Sequence, residues 1–326
     1  MSSQVSDSRP VGAGGRVDED EFRRAWRDPK LANVLYHDWE AASYDDKWGI
    51  SYDERCIEYA RRRFEQVAGR MDLPFARSLE IGAGTGFFTL NLISAGIIDR
   101  AVVTDLSPGM VDVALRNGRA LGMRLDGRVA DAEALPFDDD SFDLVCGHAV
   151  LHHIPDLDSA LREVLRVLRP GGRFVFTGEP TQRGGYLAQR LSRATWSATK
   201  LLDRVPAWRN RYGRAPAEVA AFEWESALEA AVDVHTFDPG ELVDLCVRCG
   251  AVDVDTSPSE FTASWFGWPV RTFETAVRPE SLGWRWYQFA YLGWGSLNWI
   301  DERLWTRVVP SALFYNVSVA GAKFGG

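Results

Sequence analysis

Three glycines, Gly82, Gly84 and Gly86, alternate with small residues in the segment LEIGAGTGFFT. Glycine reaches positive φ angles at little cost and leaves room for a ligand beside the backbone. A loop of this kind between a strand and a helix presents backbone amides that bind polar or anionic groups. The spacing is GxGxG, because Phe87 stands where the dinucleotide fingerprint GxGxxG needs its third glycine. The loop therefore predicts a small-molecule site and disfavours a nicotinamide-dependent oxidoreductase.

Carboxylates accompany the loop at intervals that suit a nucleoside. Glu80 lies two residues before the first glycine, and Asp105, followed by Leu106, ends the next predicted strand. A carboxylate there can accept hydrogen bonds from both hydroxyls of a ribose, although nicotinamide enzymes share this feature. Asp131, followed by Ala132, comes after the third predicted strand.

Three histidines follow the fourth predicted strand in GHAVLHHIPD, namely His148, His152 and His153. Open α/β sheets bind ligands at the carboxyl ends of their strands. Because histidine accepts a proton near neutral pH, His152 or His153 is a candidate general base towards a hydroxyl acceptor. The sequence gives no reason to prefer one of them, and a histidine that only packs or orients the loop is the alternative.

Short apolar runs alternate with amphipathic helical segments from residue 76 onward, which is typical of an α/β sheet. Strands are predicted at 77–81, 101–105, about 124–130, 142–148, 173–179, 251–256 and 313–324. Ser107 and Pro108 suit the start of a helix after the second strand. Two connections, at about 180–237 and 257–312, are too long for plain loops and predict structure or function of their own.

Together these motifs resemble motif I and the following motifs of class I S-adenosylmethionine (SAM)-dependent methyltransferases. The stretches PFDDDSFDLVCGHAVLHHIPD and LREVLRVLRPGGRFVFTGEP resemble the type 11 methyltransferase group, and the resemblance covers about residues 76–180. It implies a Rossmann-like, seven-stranded, mostly parallel sheet with an antiparallel last strand, helices on both faces, and SAM as cofactor. The resemblance implies that Asp131 binds the adenine amino group. The implied cofactor-binding residues are Glu80, Gly82, Gly84, Gly86, Asp105, Leu106, Asp131, Ala132, His148 and Tyr44.

Three segments make up the predicted domain organisation. Residues 1–21 read as a disordered tail, 22–75 as an N-terminal helical cap, and 76–326 as the methyltransferase domain with its two insertions. Within the cap, SYDDKW around Tyr44 resembles a helix that closes over SAM in similar enzymes. Tyr44 is expected either to face the sulfonium as a cation–π partner or simply to pack.

The two insertions are the predicted acceptor site. Residues 183–214 hold eight Arg or Lys against one acid, Asp203, and have helical apolar spacing. This pattern predicts either docking to an anionic membrane or acceptor, or a lid helix with a solvated basic face. Residues 257–312 contain seven of the 13 tryptophans, which would line an apolar pocket or form a satellite core.

Net charge and composition exclude some classes of binding partner. A net charge of -9 disfavours nucleic acid as the main ligand. The chain has no apolar run long enough to span a bilayer and no apolar N-terminal stretch of the signal-peptide kind, so a cytoplasmic location is expected. Cys246 and Cys249 have the spacing of half a zinc site, but no second pair lies nearby, and no metal site is predicted.

The expected function is methyl transfer from SAM to a small hydrophobic or amphiphilic acceptor, a lipid or natural product, with oxygen favoured as the methylated atom. Large aromatic and basic insertions without an RNA-binding module favour such an acceptor over nucleic acid. The alternative is a protein that binds SAM as a non-catalytic scaffold or regulator. The sequence predicts no oligomeric state.

Overall fold

A computed structural model describes most of the chain. It covers residues 27–45, 49–69, 73–215, 218–219 and 232–325. The predicted tail at 1–21 and part of the first insertion lie outside the described residues. The boundary of the cap at residue 75 stays a prediction, although two helices occupy the described part of that segment.

Seven strands form one sheet. They are β1 (Ser78–Ile81), β2 (Ala101–Asp105), β3 (Leu125–Val129), β4 (Phe142–His148), β5 (Leu168–Pro180), β6 (Ala251–Ser259) and β7 (Asn316–Lys323). Their order is β3-β2-β1-β4-β5-β7-β6. Strands β1 to β5 pair in parallel, whereas β7 is antiparallel to both β5 and β6. The predicted fold class is confirmed.

Ten α-helices are described. They are α1 (Pro29–Glu40), α2 (Glu54–Ala68), α3 (Phe87–Ser94), α4 (Pro108–Ala120), α5 (Leu157–Val167), α6 (Gln182–Leu202), α7 (Pro206–Tyr212), α8 (Pro239–Arg248), α9 (Thr262–Ala276) and α10 (Trp284–Arg303). The predicted cap of α4 is present, because the Ser107 hydroxyl accepts a hydrogen bond from the Met110 amide at 3.0 Å. Pro108 occupies the first turn, where no amide donor is needed.

The central strands β1, β4 and β7 are buried on both faces, and successive side chains of each strand point to opposite faces. In β4, Leu144 and Cys146 face a core that includes Phe64 and Phe88 of α2 and α3. Val145 points to the opposite core, which contains Leu161 and Val164 of α5 among others. Helices on two sides therefore hold the carboxyl ends of β1, β2, β4 and β5 in fixed positions.

Strand β5 begins five residues before the predicted start at 173. Leu168 already pairs with Phe142, and the next pair joins Arg173 to Leu144. The intervening turn at Pro170–Gly172 bulges out of the ladder, with Gly171 at φ +74°. Helix α5 has already ended at Val167, so this turn lies inside an interrupted strand.

The described parts of the long insertions are mainly helical. Helices α6 and α7 lie in the first, and α9 and α10 in the second. Helix α9 packs against both α6 and α10. No helix among the described residues combines the length and apolar composition needed to cross a membrane.

Candidate active site

The glycine loop has the backbone that its sequence predicts. Gly82, Gly84 and Gly86 have φ angles of +57°, +52° and +84°. A Cβ on Gly82 would lie 2.1 Å from Val150 Cγ2, so this glycine is required by packing as well as by its φ angle. A Cβ on Gly84 would meet nothing within 4 Å. The backbone of Gly84 therefore borders open space at the carboxyl end of β1, where a ligand can approach it.

Asp105 is fixed beside this loop. Its Oδ2 accepts a hydrogen bond from the Gly84 amide and its Oδ1 one from the Ser107 amide, both at 2.9 Å. Burial, together with the charge of the nearby Asp38 carboxylate, raises the pKa of Asp105 to about 6. The group is therefore ionised at neutral pH and acts as an acceptor towards hydroxyl groups. Leu106, the next residue, is half-buried.

Glu80 lies beneath the loop. Its Oε2 accepts a hydrogen bond from the Thr89 amide in the first turn of α3 at 3.1 Å. Burial raises the pKa of Glu80 to about 8. In the described structure this side chain stabilises the entry of α3, which shapes the loop from within.

Asp131 forms an ion pair that the sequence did not indicate. Its Oδ2 accepts a hydrogen bond from Lys30 Nζ at 2.6 Å, and Lys30 also pairs with Glu133. Its Oδ1 accepts one from the Glu133 amide at 3.0 Å. The neighbouring Ala132 packs against the apolar core. Helix α1 is thereby held over the loop that follows β3.

The same helix contacts the start of α4. Asp38 Oδ1 accepts hydrogen bonds from the Gly109 amide at 2.9 Å and from the Ser107 hydroxyl. Tyr44 lies just beyond α1 and packs with Met110 and Val113. The segment 46–48 that completes its predicted motif lies outside the described residues. A lid role for Tyr44 stays a prediction.

His148 is packed at the end of β4. Its Nδ1 lies 2.9 Å from the Thr177 hydroxyl, and its ring stacks on Phe88 at 5.4 Å between centroids. Burial lowers the pKa of His148 to about 4, so the imidazole is neutral at neutral pH. Gly178 has φ +79°, and a Cβ there would lie 2.7 Å from the His148 ring.

His152 is oriented by a buried carboxylate. Its Nδ1 lies 2.8 Å from Oε2 of Glu179, whose side chain is fully buried. The same carboxylate accepts hydrogen bonds from the backbone amides of Val150, Leu151 and His152 at 2.9–3.1 Å. A carboxylate in this position fixes the imidazole ring with its proton on Nδ1, which directs Nε2 as the basic nitrogen.

His153 is a poorer base. Its Nδ1 donates to the Val232 carbonyl oxygen at 3.0 Å. Burial and the adjacent His152 and His37 rings place the pKa of His153 well below its ordinary value. The structure thus distinguishes two histidines that the sequence left equivalent.

One group of residues in the described part of the chain could hold a metal ion. His152, His153 and Asp233 place a ligand atom each within 4.8 Å of one another. The sequence predicted no metal site, because the Cys246–Cys249 pair has no second pair of ligands nearby. Of these three groups, His152 is the one whose ring is also held by the buried Glu179 carboxylate.

An aromatic wall lies next to His148. The Tyr59 ring of α2 contacts His148 at 5.9 Å, Phe87 at 6.1 Å and Trp294 of α10 at 6.4 Å between centroids. Below it, the buried Arg63 pairs with Glu260 at 3.0 Å. The second insertion therefore reaches the carboxyl edge of the sheet through Trp294.

Sequence reasoning missed several of these residues. Lys30, Asp38, Tyr59 and Arg63 lie in the segment interpreted only as a helical cap. Glu179 had a usable signal, since it ends the predicted fifth strand at the edge where ligands bind.

Comparison with known proteins agrees with this geometry. Residues 79–176 match the family model described as "Methyltransferase domain". This part of the chain is therefore similar to methyltransferase domains. The match contains the glycine loop, Asp105, Asp131 and the three histidines.

Curated relatives resemble the same part. The chain is 41% identical over 111 residues to the ubiquinone/menaquinone biosynthesis C-methyltransferase UbiE of Nitrobacter hamburgensis, covering 32% of this chain and 43% of that protein. It is 38% identical over 149 residues to the 27-O-demethylrifamycin SV methyltransferase of Amycolatopsis mediterranei, covering 44% and 53%. The chain thus spans about half or less of these relatives.

Solved structures extend the likeness to the whole fold. The phosphoethanolamine N-methyltransferase 2 of Haemonchus contortus, in complex with S-adenosyl-L-methionine, has a TM-score of 0.54 at 18% identity, covering 92% of this chain and 60% of that one. The [4+2]-cyclase SpnF has a TM-score of 0.54 at 17% identity, covering 91% and 97%. At these identities the likeness shows the fold alone, and a cyclase shares it.

Proposed function

We propose that this protein transfers a methyl group from SAM to a small hydrophobic or amphiphilic acceptor. The observation that carries the proposal is the open space beside Gly84, bordered by the Asp105 carboxylate. A positive-φ glycine with room beside its backbone and a fixed carboxylate next to it suits the amino-acid and ribose parts of SAM. The family match over residues 79–176 supports this ligand.

When bound, SAM supplies an electrophilic methyl group on a positively charged sulfur. Gly84 and its neighbours provide backbone contacts for the amino-acid end, and Asp105 accepts from the ribose hydroxyls. Asp131 binds the adenine amino group, with Lys30 holding α1 over it. Leu106 and Ala132 border the base and sugar, and His148 limits the methionine end.

His152 is the proposed general base. Its Nε2 accepts the proton of an acceptor hydroxyl as the oxygen lone pair bonds to the methyl carbon and the carbon–sulfur pair stays on sulfur. Glu179 is a positioning residue that stabilises the protonated ring through Nδ1. This base favours oxygen as the methylated atom, and it assigns His153 a structural role.

The aromatic wall supports an apolar acceptor. The rings of Tyr59, Phe87 and Trp294 meet beside His148, at the edge where the proposed methyl donor binds. Such rings bind flat or apolar molecules and exclude water. The relatives include a quinone-biosynthesis and a rifamycin methyltransferase, which agrees with an aromatic or natural-product acceptor.

Turnover separates this proposal from the alternative of a SAM-binding scaffold. The purified protein is incubated with SAM and fractions of a lipid and natural-product extract, and S-adenosylhomocysteine is measured by mass spectrometry. Release of S-adenosylhomocysteine that depends on one fraction, and that is abolished in the Asp105→Ala variant, supports methyl transfer. SAM binding without release in any fraction would favour the scaffold.

A further inference from the structure

The outward face of α10 is apolar and exposed. Trp284 is 70% exposed, Leu292 58% and Trp299 53%. Tyr287, Phe289 and Tyr291 of the same helix are also exposed. The sequence allowed a pocket lining or a satellite core. The Phe289 ring does pack on Phe266 of α9 at 5.3 Å between centroids, but a large part of each of these side chains stays exposed. Exposed apolar surface of this extent marks an interaction site.

Basic residues outnumber exposed acids on this part of the molecule, although Glu280, just before α10, is exposed. The acids of α10 are the buried Asp301 and Glu302, whose side chain is only 14% exposed, whereas Arg285 and Arg303 are exposed. Residues 183–214 carry eight basic residues against one acid in a chain of net charge -9. The partner that fits is therefore negatively charged as well as apolar.

The basic and aromatic parts meet at one end of the helical layer. The Trp208 ring of α7 contacts Phe273 of α9 at 6.4 Å, and Phe273 contacts Trp286 of α10 at 4.9 Å. The Arg278 amide donates to the Tyr212 carbonyl oxygen at 2.9 Å, which ties the end of α7 to the segment before α10. Helix α7, which follows the end of α6 after a short turn, thus lies beside the segment that leads into α10.

We propose that this surface binds the interface of an anionic lipid bilayer. The docking surface consists of Leu201, Leu202, Arg204, Val205, Arg209, Arg211, Trp284, Arg285, Tyr287, Phe289, Leu292 and Trp299. Its tryptophan, tyrosine and leucine side chains enter the boundary between headgroups and acyl chains, and its arginines bind lipid phosphates. No described helix can span a membrane, so the contact is peripheral.

The inner face of α10 connects this surface to the candidate active site. Trp294 contacts Tyr59, which contacts His148. One helix, about 10 Å across, therefore separates the proposed bilayer contact from the proposed acceptor wall. That an amphiphilic acceptor enters from the bilayer rests on the proposed function, whereas the docking itself does not.

Vesicle flotation with the full-length protein tests the proposal. Vesicles of phosphatidylcholine alone are compared with vesicles that also contain phosphatidylglycerol. The expected preference for the anionic vesicles is about tenfold or more and falls with added salt. The double variant Trp284→Ser/Trp299→Ser is expected to bind about tenfold more weakly. Arg204→Gln and Arg209→Gln are each expected to bind about fivefold more weakly.

Phe324→Ser is the matched control, because Phe324 is 68% exposed but follows β7 on the main sheet. It is expected to bind vesicles like the wild type, and all variants are expected to keep its Tm and SAM affinity. Equal binding to both vesicle types, or unchanged binding by the double variant, would overturn the proposal. The proposal would also be overturned if the wild type is a dimer that does not bind vesicles and Trp284→Ser dissociates this dimer. The face would then be an interface between two copies of the chain.

Discussion

Replacing Gly84 by alanine separates ligand contact from backbone strain. Gly84 has φ +52° with nothing within 4 Å of the added Cβ, and Gly122, in the turn after α4, has φ +70° with equally open surroundings. An L-residue in this conformation costs about 1–2 kcal/mol, so both variants should lose stability equally. In a domain of this size that lowers Tm by about 2–8 °C.

Only Gly84→Ala should lose cofactor affinity. One extra methyl group in a close-packed contact costs about 1–3 kcal/mol, which is about 5- to 150-fold in Kd. Calorimetric titration with SAM measures the effect, and thermal unfolding without ligand checks that the strain is matched. If Gly84→Ala binds SAM as tightly as Gly122→Ala, the ligand does not lie against this loop, and the placement of the site is wrong.

The remaining predictions concern the titrating groups. Because burial raises the pKa of Asp105 to about 6 and binding needs its carboxylate, SAM affinity should fall about tenfold per pH unit below that value and level off above it. Asp105→Asn should bind weakly with no such slope, whereas Glu80→Gln should keep it; an unchanged slope in Asp105→Asn refutes the assignment. His152→Ala should lower kcat about 100-fold, while His153→Ala retains most turnover. Full activity in both variants would refute the assignment of a histidine general base. Glu179→Gln should lower kcat while KM for SAM stays constant. It should also shift the acidic limb of the pH–rate profile to lower pH, because the protonated His152 ring is no longer stabilised by a carboxylate. A pH profile identical to that of the wild type would mean that Glu179 has a purely structural role.

Local patterns predicted the parts of the fold that local physics determines. The bounds of β2 and β4 and the Ser107 cap follow from short apolar runs and from capping chemistry. Gly82 and Gly84 adopt the positive φ angles that their spacing in the loop implied. Each of these features depends on residues within one turn or strand.

The ion pairs of the site could not be predicted in the same way. Lys30 and Asp131 are 101 residues apart, and Arg63 and Glu260 are 197 apart. Such pairs depend on how α1 and α2 pack against the sheet, which no local pattern specifies. The choice between His152 and His153 likewise required the position of Glu179.

The orientation of α10 could not be predicted from the sequence either. Aromatic residues occur all around this helix, so its sequence does not show which face is covered. The structure covers the Trp294 side and leaves Trp284 and Trp299 outside. Only the packing of α9 against α10 decides between core, pocket and surface.

Calorimetric titration of the unmodified protein with SAM, S-adenosylhomocysteine and NAD tests the central claim most directly. The glycine loop and Asp105 predict one binding site for SAM and its demethylated product, and no binding of NAD. Absence of binding heat for both sulfur nucleosides, or tighter binding of NAD, would contradict the account.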